Sequence, residues 1–271
     1  MKFLKKILRQ LLRKAGYDIS SYNPGGPVTL GEPGRDPFLD MKNFLPDQPQ
    51  PLILDVGGNL GQSVDKFKKS FPDSVIHSFE PAPDTYTRLE SHCSEIQGVK
   101  TWNCGIGSTR GTLPFHQYNY SDMSSFLTPG SFSWGKIEKT IQVEVLTLDA
   151  FAEEQRIDFI HILKSDTQGY DMQVFKGAKE LMRKNRIGLV YFEFTFSDLY
   201  KNLPAFHEIF RYLSEHNFSF VSFYQTFYQR GLLSWTDLLF INNDYNRLRL
   251  DEYAGQLPDP VRVPRNQFNH R

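Results

Sequence analysis

The chain has 271 residues, with 31 Lys and Arg balanced by 31 Asp and Glu; that length suits one large catalytic domain with short extensions, and a formal net charge of zero gives no global reason to bind nucleic acid. Its two cysteines, Cys93 and Cys104, lack the paired C-x-x-C spacing of a zinc ribbon or a redox dithiol, so a reduced, cytoplasmic setting is expected. No run approaches the roughly 18 consecutive apolar residues of a membrane span, and the N-terminus lacks the apolar core and cleavage site of a signal peptide.

Residues 1–15 read as a basic amphipathic helix, in which Phe3, Leu4, Ile7, Leu8, Leu11 and Leu12 share one half and Lys2, Lys5, Lys6, Arg9 and Arg13 the other. A stretch rich in Pro and Gly follows over 20–37, which disfavours a regular element, so 1–37 is expected to be helix plus linker. The catalytic domain spans 38–245, and 246–271 form a polar tail. Within the domain, strands are predicted near 52–56, 74–79, 99–104, 158–164 and 187–194, and helices near 61–70, 84–96, 169–184 and 204–216. This alternation is the pattern of βαβ units feeding a parallel sheet. An insert over 112–147 carries the alternating run Ile141-Gln142-Val143-Glu144-Val145, a strand with one exposed face. Strands near 218–224 and 237–242 close the domain as a hairpin around Gln229-Arg230-Gly231, and with no helix between them at least one must run antiparallel.

The first strand ends in Asp55-Val56-Gly57-Gly58-Asn59-Leu60-Gly61. Glycines at a strand-to-helix turn let backbone amides approach a ligand closely. The second strand ends in Phe79-Glu80-Pro81, which puts a carboxylate about 20 to 25 residues past the loop, where Rossmann-type folds hold ribose hydroxyls. The loop lacks the G-x-G-x-x-G spacing that cradles a pyrophosphate. A nucleoside without phosphates, such as S-adenosylmethionine, is therefore preferred over a nicotinamide dinucleotide.

These segments, with Phe79-Glu80-Pro81-Ala82-Pro83, Leu146-Thr147-Leu148-Asp149, Lys164-Ser165-Asp166-Thr167-Gln168-Gly169-Tyr170-Asp171 and Phe175-Lys176-Gly177-Ala178, resemble the ordered motifs of the FkbM methyltransferase family over roughly residues 50 to 242. The resemblance implies a class I methyltransferase fold of the Rossmann-like α/β type: a mostly parallel seven-stranded sheet with an antiparallel C-terminal strand and helices on both faces. It also implies S-adenosylmethionine as donor and a hydroxyl of a sugar, glycan or secondary metabolite as acceptor. Gly58 stands where the family often has Ala, a change expected to be harmless. Gln168 stands where it often has Glu, so position 168 offers no carboxylate.

The cofactor set expected from strand ends and loop is Asp55, Gly57, Gly58, Asn59, Gly61, Glu80 and Asn103. Lys164, Asp166 and Glu193 are the charged residues expected nearest the reaction, because ligands of doubly wound sheets sit beyond the carboxyl ends of the strands. Lys164 and Asp166 lie two apart on one strand and face the same way, as an ion pair or a catalytic couple. Asp166 is the first candidate for the base that takes the acceptor's proton, Glu193 the second, and His116 and His161 follow. Asp166 and Glu193 could instead share a Mg²⁺, although two carboxylates on different strands fall short of a metal motif. Tyr200 and Tyr228 follow strand ends and are the aromatic candidates for the acceptor pocket. The non-catalytic alternative is a Rossmann-like domain that binds a nucleoside or a partner without turnover.

The helix over 1–15 either docks on the domain or lies in an anionic membrane surface, where each Lys or Arg near the headgroups contributes about 1 kcal/mol. Peripheral attachment at the inner membrane face predicts salt-sensitive binding of the full chain to anionic liposomes, lost without unfolding on deletion of residues 1–15. Equal partitioning of the two forms, or a sharp drop in melting temperature on truncation, assigns the helix to the domain.

Overall fold

Short β-branched and aromatic runs bounded by turn formers set the strands here, and amphipathic segments between them set the helices. The computed structural model describes residues 33–46 and 48–246, all within one compact unit. The basic segment 1–15, the linker as far as residue 32 and the tail over 247–271 lie outside the described residues.

In chain order the elements are α1 (Pro37–Phe44), β1 (Leu52–Val56), α2 (Gln62–Ser70), β2 (Val75–Phe79), α3 (Pro83–Cys93), β3 (Val99–Trp102), β4 (Gly105–Ile106), β5 (Gly111–Tyr118), β6 (Ile137–Leu146), α4 (Leu148–Glu154), β7 (Ile160–Ser165), α5 (Asp171–Lys176), α6 (Lys179–Arg183), β8 (Ile187–Thr195), α7 (Phe206–Glu215), β9 (Phe218–Gln229) and β10 (Leu232–Asn242). Seven strands form one sheet in the order β3-β2-β1-β7-β8-β10-β9. All its neighbours pair in parallel except those of β10, which runs antiparallel to both β8 and β9. This is the expected fold class. The β9–β10 hairpin turns on Arg230 and Gly231, both at positive φ, the geometry that lets a two-residue turn match the twist of its strands.

Because side chains alternate along a strand, the sheet has two apolar faces. Ile53, Ile76, Ile162, Leu189 and Leu239 pack with Met41, Val64, Phe67 and Leu89 of α1, α2 and α3. Leu54, Phe79, Leu163, Val190 and Phe240 pack with Phe151, Phe175, Ile209 and Leu213 of α4, α5 and α7. Among the described residues no helix is long and apolar enough to cross a membrane.

Three elements differ from the sequence reading. Helix α1 starts inside the stretch read as linker: Asp36 caps it by accepting from the amides of Phe38 and Leu39, with Pro37 at the first helical position, where a missing N–H costs nothing. Buried Asp40 ties it to the fold by accepting from Gly34 N at 2.7 Å and Tyr224 OH at 2.8 Å. The insert is a separate three-stranded sheet, β4-β6-β5. The run over 141–145 lies in β6 as expected, but β5 was not anticipated; its Pro114 is tolerated because β5 is an edge strand.

The helix expected over 169–184 is two helices, α5 and α6, broken at Gly177. A Cβ there would stand 2.1 Å from the Gly107 carbonyl oxygen, and the Gly177 carbonyl accepts from Asp149 N at 2.9 Å. The Asp149 carboxylate in turn accepts from the amides of Glu180 and Leu181, at 2.9 Å each, and so caps α6 from outside. Asp149→Ala is expected to cost about 0.5–2 kcal/mol, as for loss of a helix cap. Gly177→Ala presses on backbone that cannot swing aside and should cost about 1–3 kcal/mol. Urea unfolding of the two variants checks both, and wild-type stability in either removes the proposed coupling between these segments.

Candidate active site

A row of polar side chains crosses the carboxyl-terminal ends of four strands. Ser78 of β2, Asp55 of β1, Lys164 of β7 and Tyr191 of β8 are register neighbours and sit just above the Ile53, Ile76, Ile162 and Leu189 layer. Asp55 is fully buried. Its Oδ2 accepts from Ser78 Oγ at 2.7 Å and Ser63 Oγ at 2.8 Å, and its Oδ1 faces Lys164 Nζ at 3.0 Å. Lys164 also donates to the Gly57 carbonyl at 2.9 Å. Burial by itself would lower the Lys164 pKa, but Asp55 and then Asp166 outweigh it and hold the ammonium above its ordinary value.

The glycine loop rests on this network. Gly57 has a φ of +83°, and a Cβ on it would lie 2.0 Å from the Asp166 carbonyl oxygen, so only glycine fits between β1 and the turn after β7. At Gly58 a Cβ would meet Ser78 Oγ at 2.2 Å. Glycine here is matched to a serine that holds Asp55. Gly61 caps α2 at a φ of +96° beneath His92 and is a turn residue, not part of a cavity wall.

Two cavities open on either side of the loop. The first is lined by Gly57, Asn59, Glu80, Asp166, Thr167 and Gln168 on its polar side and by Phe79, Cys104, Ile106, Phe115 and Phe126 on its apolar side. Glu80 follows β2; Oε2 accepts from Asn59 N at 3.0 Å and Oε1 from Ala82 N at 2.9 Å, leaving lone pairs on both oxygens for a ligand. Burial is the largest influence on Glu80 and pushes its carboxyl up to about 7, against the lowering effect of these two amides. Asn103 lies outside the cavity and braces it, donating to the carbonyls of Glu80 at 2.9 Å and Pro81 at 3.2 Å. Asn59 Oδ1 and Thr167 Oγ1 are shut away from solvent without a protein partner. An apolar wall, a carboxylate beyond β2, a loop without Cβ atoms and two orphaned oxygens fit S-adenosylmethionine.

The second cavity shares Gly57, Asn59, Asp122 and Asp166 with the first and adds Lys164, Tyr191, Glu193, Asp237, Lys66, Phe38 and Phe67. The structure thus brings Lys164, Asp166 and Glu193 together, as expected. Gln168, at a φ of +54°, links two of them: its Nε2 donates to Asp166 Oδ1 at 3.0 Å and Glu193 Oε1 at 3.4 Å, while its Oε1 accepts from Tyr200 OH at 2.9 Å. A glutamate at 168 would offer these carboxylates a third negative charge in place of a donor. Burial, and then Asp166 and Asp237, push Glu193 well above the ordinary carboxylate range.

Asp237 was missed because it opens a strand, 237–242, read only for its apolar residues. It is the register partner of Glu193 and accepts from Tyr191 OH at 2.7 Å. The other candidates are placed elsewhere. His161 accepts from Leu52 N at 3.0 Å at the far end of β7, and burial lowers its pKa. His116 pairs with Thr140 at 2.9 Å on the small sheet. Tyr200 is 1% exposed and Tyr228 66% exposed, and neither lines the two cavities. Both cysteines are free and buried. Among the described residues no three His, Cys, Asp or Glu side chains gather closely enough to hold a metal ion.

Known proteins match the same stretch of chain. The Methyltransferase FkbM domain matches residues 55–220. The 2-O-methyltransferase NoeI of Sinorhizobium fredii is 27% identical over 168 residues, covering 58% of this chain and 68% of that one. Methyltransferase sdnD of Sordaria araneosa is 28% identical over 174 residues, with 54% and 66% covered. The hexuronic acid methyltransferase AglP of Haloferax volcanii is 23% identical over 133 residues, with 49% and 52% covered.

Glu80 makes ligand binding depend on pH with a defined sign. Its carboxyl rises from an ordinary 4.5 to about 7 in the unliganded fold, so the stability this group contributes is present at low pH and lost as pH rises through about 7. Hydroxyl donors favour the ionised form, and S-adenosylhomocysteine is expected to bind more tightly as pH rises to about 7, then level off. Glu80→Gln should flatten that dependence and weaken binding by about 1.5–3 kcal/mol. Calorimetry of both proteins over about pH 5.5 to 8 tests this; identical pH profiles would remove Glu80 from the ligand set.

Proposed function

Because the chain belongs to the FkbM methyltransferase family, we propose that it transfers the methyl group of S-adenosylmethionine to a hydroxyl oxygen of a sugar or polyol. The observation that carries this reading is the common wall of the two cavities, where Asp166 faces both. A donor in the first and an acceptor in the second meet at its carboxylate. Relatives named as a 2-O-methyltransferase and a hexuronic acid methyltransferase support an oxygen acceptor on a sugar.

S-adenosylmethionine supplies an electrophilic methyl on a sulfonium centre. The reaction is then an in-line displacement in which the acceptor oxygen bonds to the methyl carbon, the carbon–sulfur bond breaks with its electrons going to sulfur, and the hydroxyl proton must leave. Asp166 is assigned as the base that takes it. Half-buried at the junction, Asp166 is fixed by Gln168 at 3.0 Å and faces Lys164 at 3.8 Å. Glu193 is the poorer base, because its surroundings favour the neutral acid. Positioning in a water-poor site supplies most of the remaining acceleration.

Lys164 does not fit a proton-transfer role. Its ammonium is buried, held charged and engaged by Asp55 and Gly57, so it is assigned as the strut under the glycine loop. For Mg²⁺ the site offers Asp166 and Glu193 with a Gln168 N–H directed at each, a donor set that does not fit the ion, and no step is routed through a metal.

Two variants separate these roles. Asp166→Asn is expected to keep S-adenosylhomocysteine affinity and to lower methyl transfer by about 10²–10⁴, the contribution of a positioned base. Lys164→Met leaves Asp55 buried and uncompensated and should cost about 3–5 kcal/mol of stability. Full turnover by Asp166→Asn removes the base assignment, and a stable, inactive Lys164→Met returns Lys164 to the chemistry.

A further inference from the structure

The second cavity is lined by groups of one chemical kind. Asp122, Asp166, Glu193 and Asp237 present carboxylates to it, against the ammonium groups of Lys66 and Lys164. Lys164 is already engaged by Asp55 at 3.0 Å, which leaves Lys66, on the exposed face of α2, as the remaining cation. The carboxylates of Asp122, Asp166 and Asp237 accept hydrogen bonds from an occupant, and Glu193, held toward the neutral acid, accepts and can also donate. Phe38 and Tyr191, both half-buried, provide ring surface. The cavity therefore asks its occupant for several hydrogen-bond donors and an apolar face, which is what a pyranose ring presents.

We propose that this cavity selects an acceptor ring that carries no negative charge, a neutral sugar or an amino sugar, and excludes uronate and phosphate-bearing rings. The proposal rests on the methyl-transfer reading above and specifies its acceptor. Burial and then the neighbouring carboxylates push Glu193 upward, and burial does the same to Asp237. Hydroxyl or ammonium donors relieve that crowding, whereas a further anion adds to it. Like charges brought together across a binding interface are disfavoured. The acceptor class named for AglP, a hexuronic acid, is the class this lining rejects.

The test uses the full chain, isotopically labelled S-adenosylmethionine and a glycan and glycolipid extract of the source cells. After incubation the extract is hydrolysed to monosaccharides and separated by charge. Label is expected in neutral or amino sugars, at least about tenfold above that in uronic acids or sugar phosphates. Label mainly in the anionic fraction overturns the proposal while leaving the methyl-transfer reading intact. No label in any fraction, with S-adenosylhomocysteine still bound, overturns the reading itself and the proposal with it. Asp237→Asn gives a second measurement, since its amide oxygen can still accept from Tyr191. It should raise the anionic-to-neutral labelling ratio about tenfold, and an unchanged ratio denies Asp237 the selecting role.

Discussion

The buried pair of Asp55 and Lys164 is the interaction on which the site depends. Both charges lie at the carboxyl-terminal edge of the sheet, above an apolar layer that cannot solvate them. They persist there because each is satisfied: Asp55 by Ser63, Ser78 and the ammonium, Lys164 by Asp55 and the Gly57 carbonyl. A buried ion pair adds little net stability over apolar residues of similar volume, and it is costly to break once present. Its value here is geometric. It fixes the Gly57 carbonyl, and with it the amides of the loop that forms one wall of both cavities.

From that anchor the site divides by chemistry. On the side of β2 lie Glu80, an apolar wall and unpartnered oxygens, suited to a nucleoside. Toward β8 and β10 lie carboxylates, a tyrosine and Phe38, suited to a polyol. Asp166 stands at the boundary because β7 ends beside β1, and its orientation is set by Gln168, whose own amide is oriented by Tyr200. A glutamine in place of a third carboxylate makes this arrangement possible, since its N–H group is the donor that two neighbouring acids lack.

Local signals carried much of this. The apolar run 52–56 with its glycine turn, the acid after the second strand, and the strand spacing that follows specify a parallel sheet with a nucleoside site at its edge. These depend on neighbours in the chain: a glycine that must reach positive φ and a strand that must be apolar are legible wherever they occur. Lys164, Asp166 and Glu193 were legible for the same reason, as charges at the ends of otherwise apolar strands. The order of the motifs and their family resemblance fixed the donor.

What the chain order could not convey is which residues meet across it. Asp237 is paired with Glu193 only because β10 inserts antiparallel beside β8, and Phe38 reaches the second cavity only because Asp40 and Tyr224 pin α1 against the sheet. Lys164 reads from sequence as ion pair or catalyst with equal ease, and only the fold shows it buried against Asp55. The match of Gly58 to Ser78, twenty positions on, is likewise tertiary: Ser78 Oγ stands 2.2 Å from where a Cβ on Gly58 would lie. The sequence by itself determined the fold class, the methyl donor and the strand ends that form the site. The partition into two cavities and the acidic lining of the second come only from the folded chain, because they arise from close approach and desolvation between residues far apart in sequence.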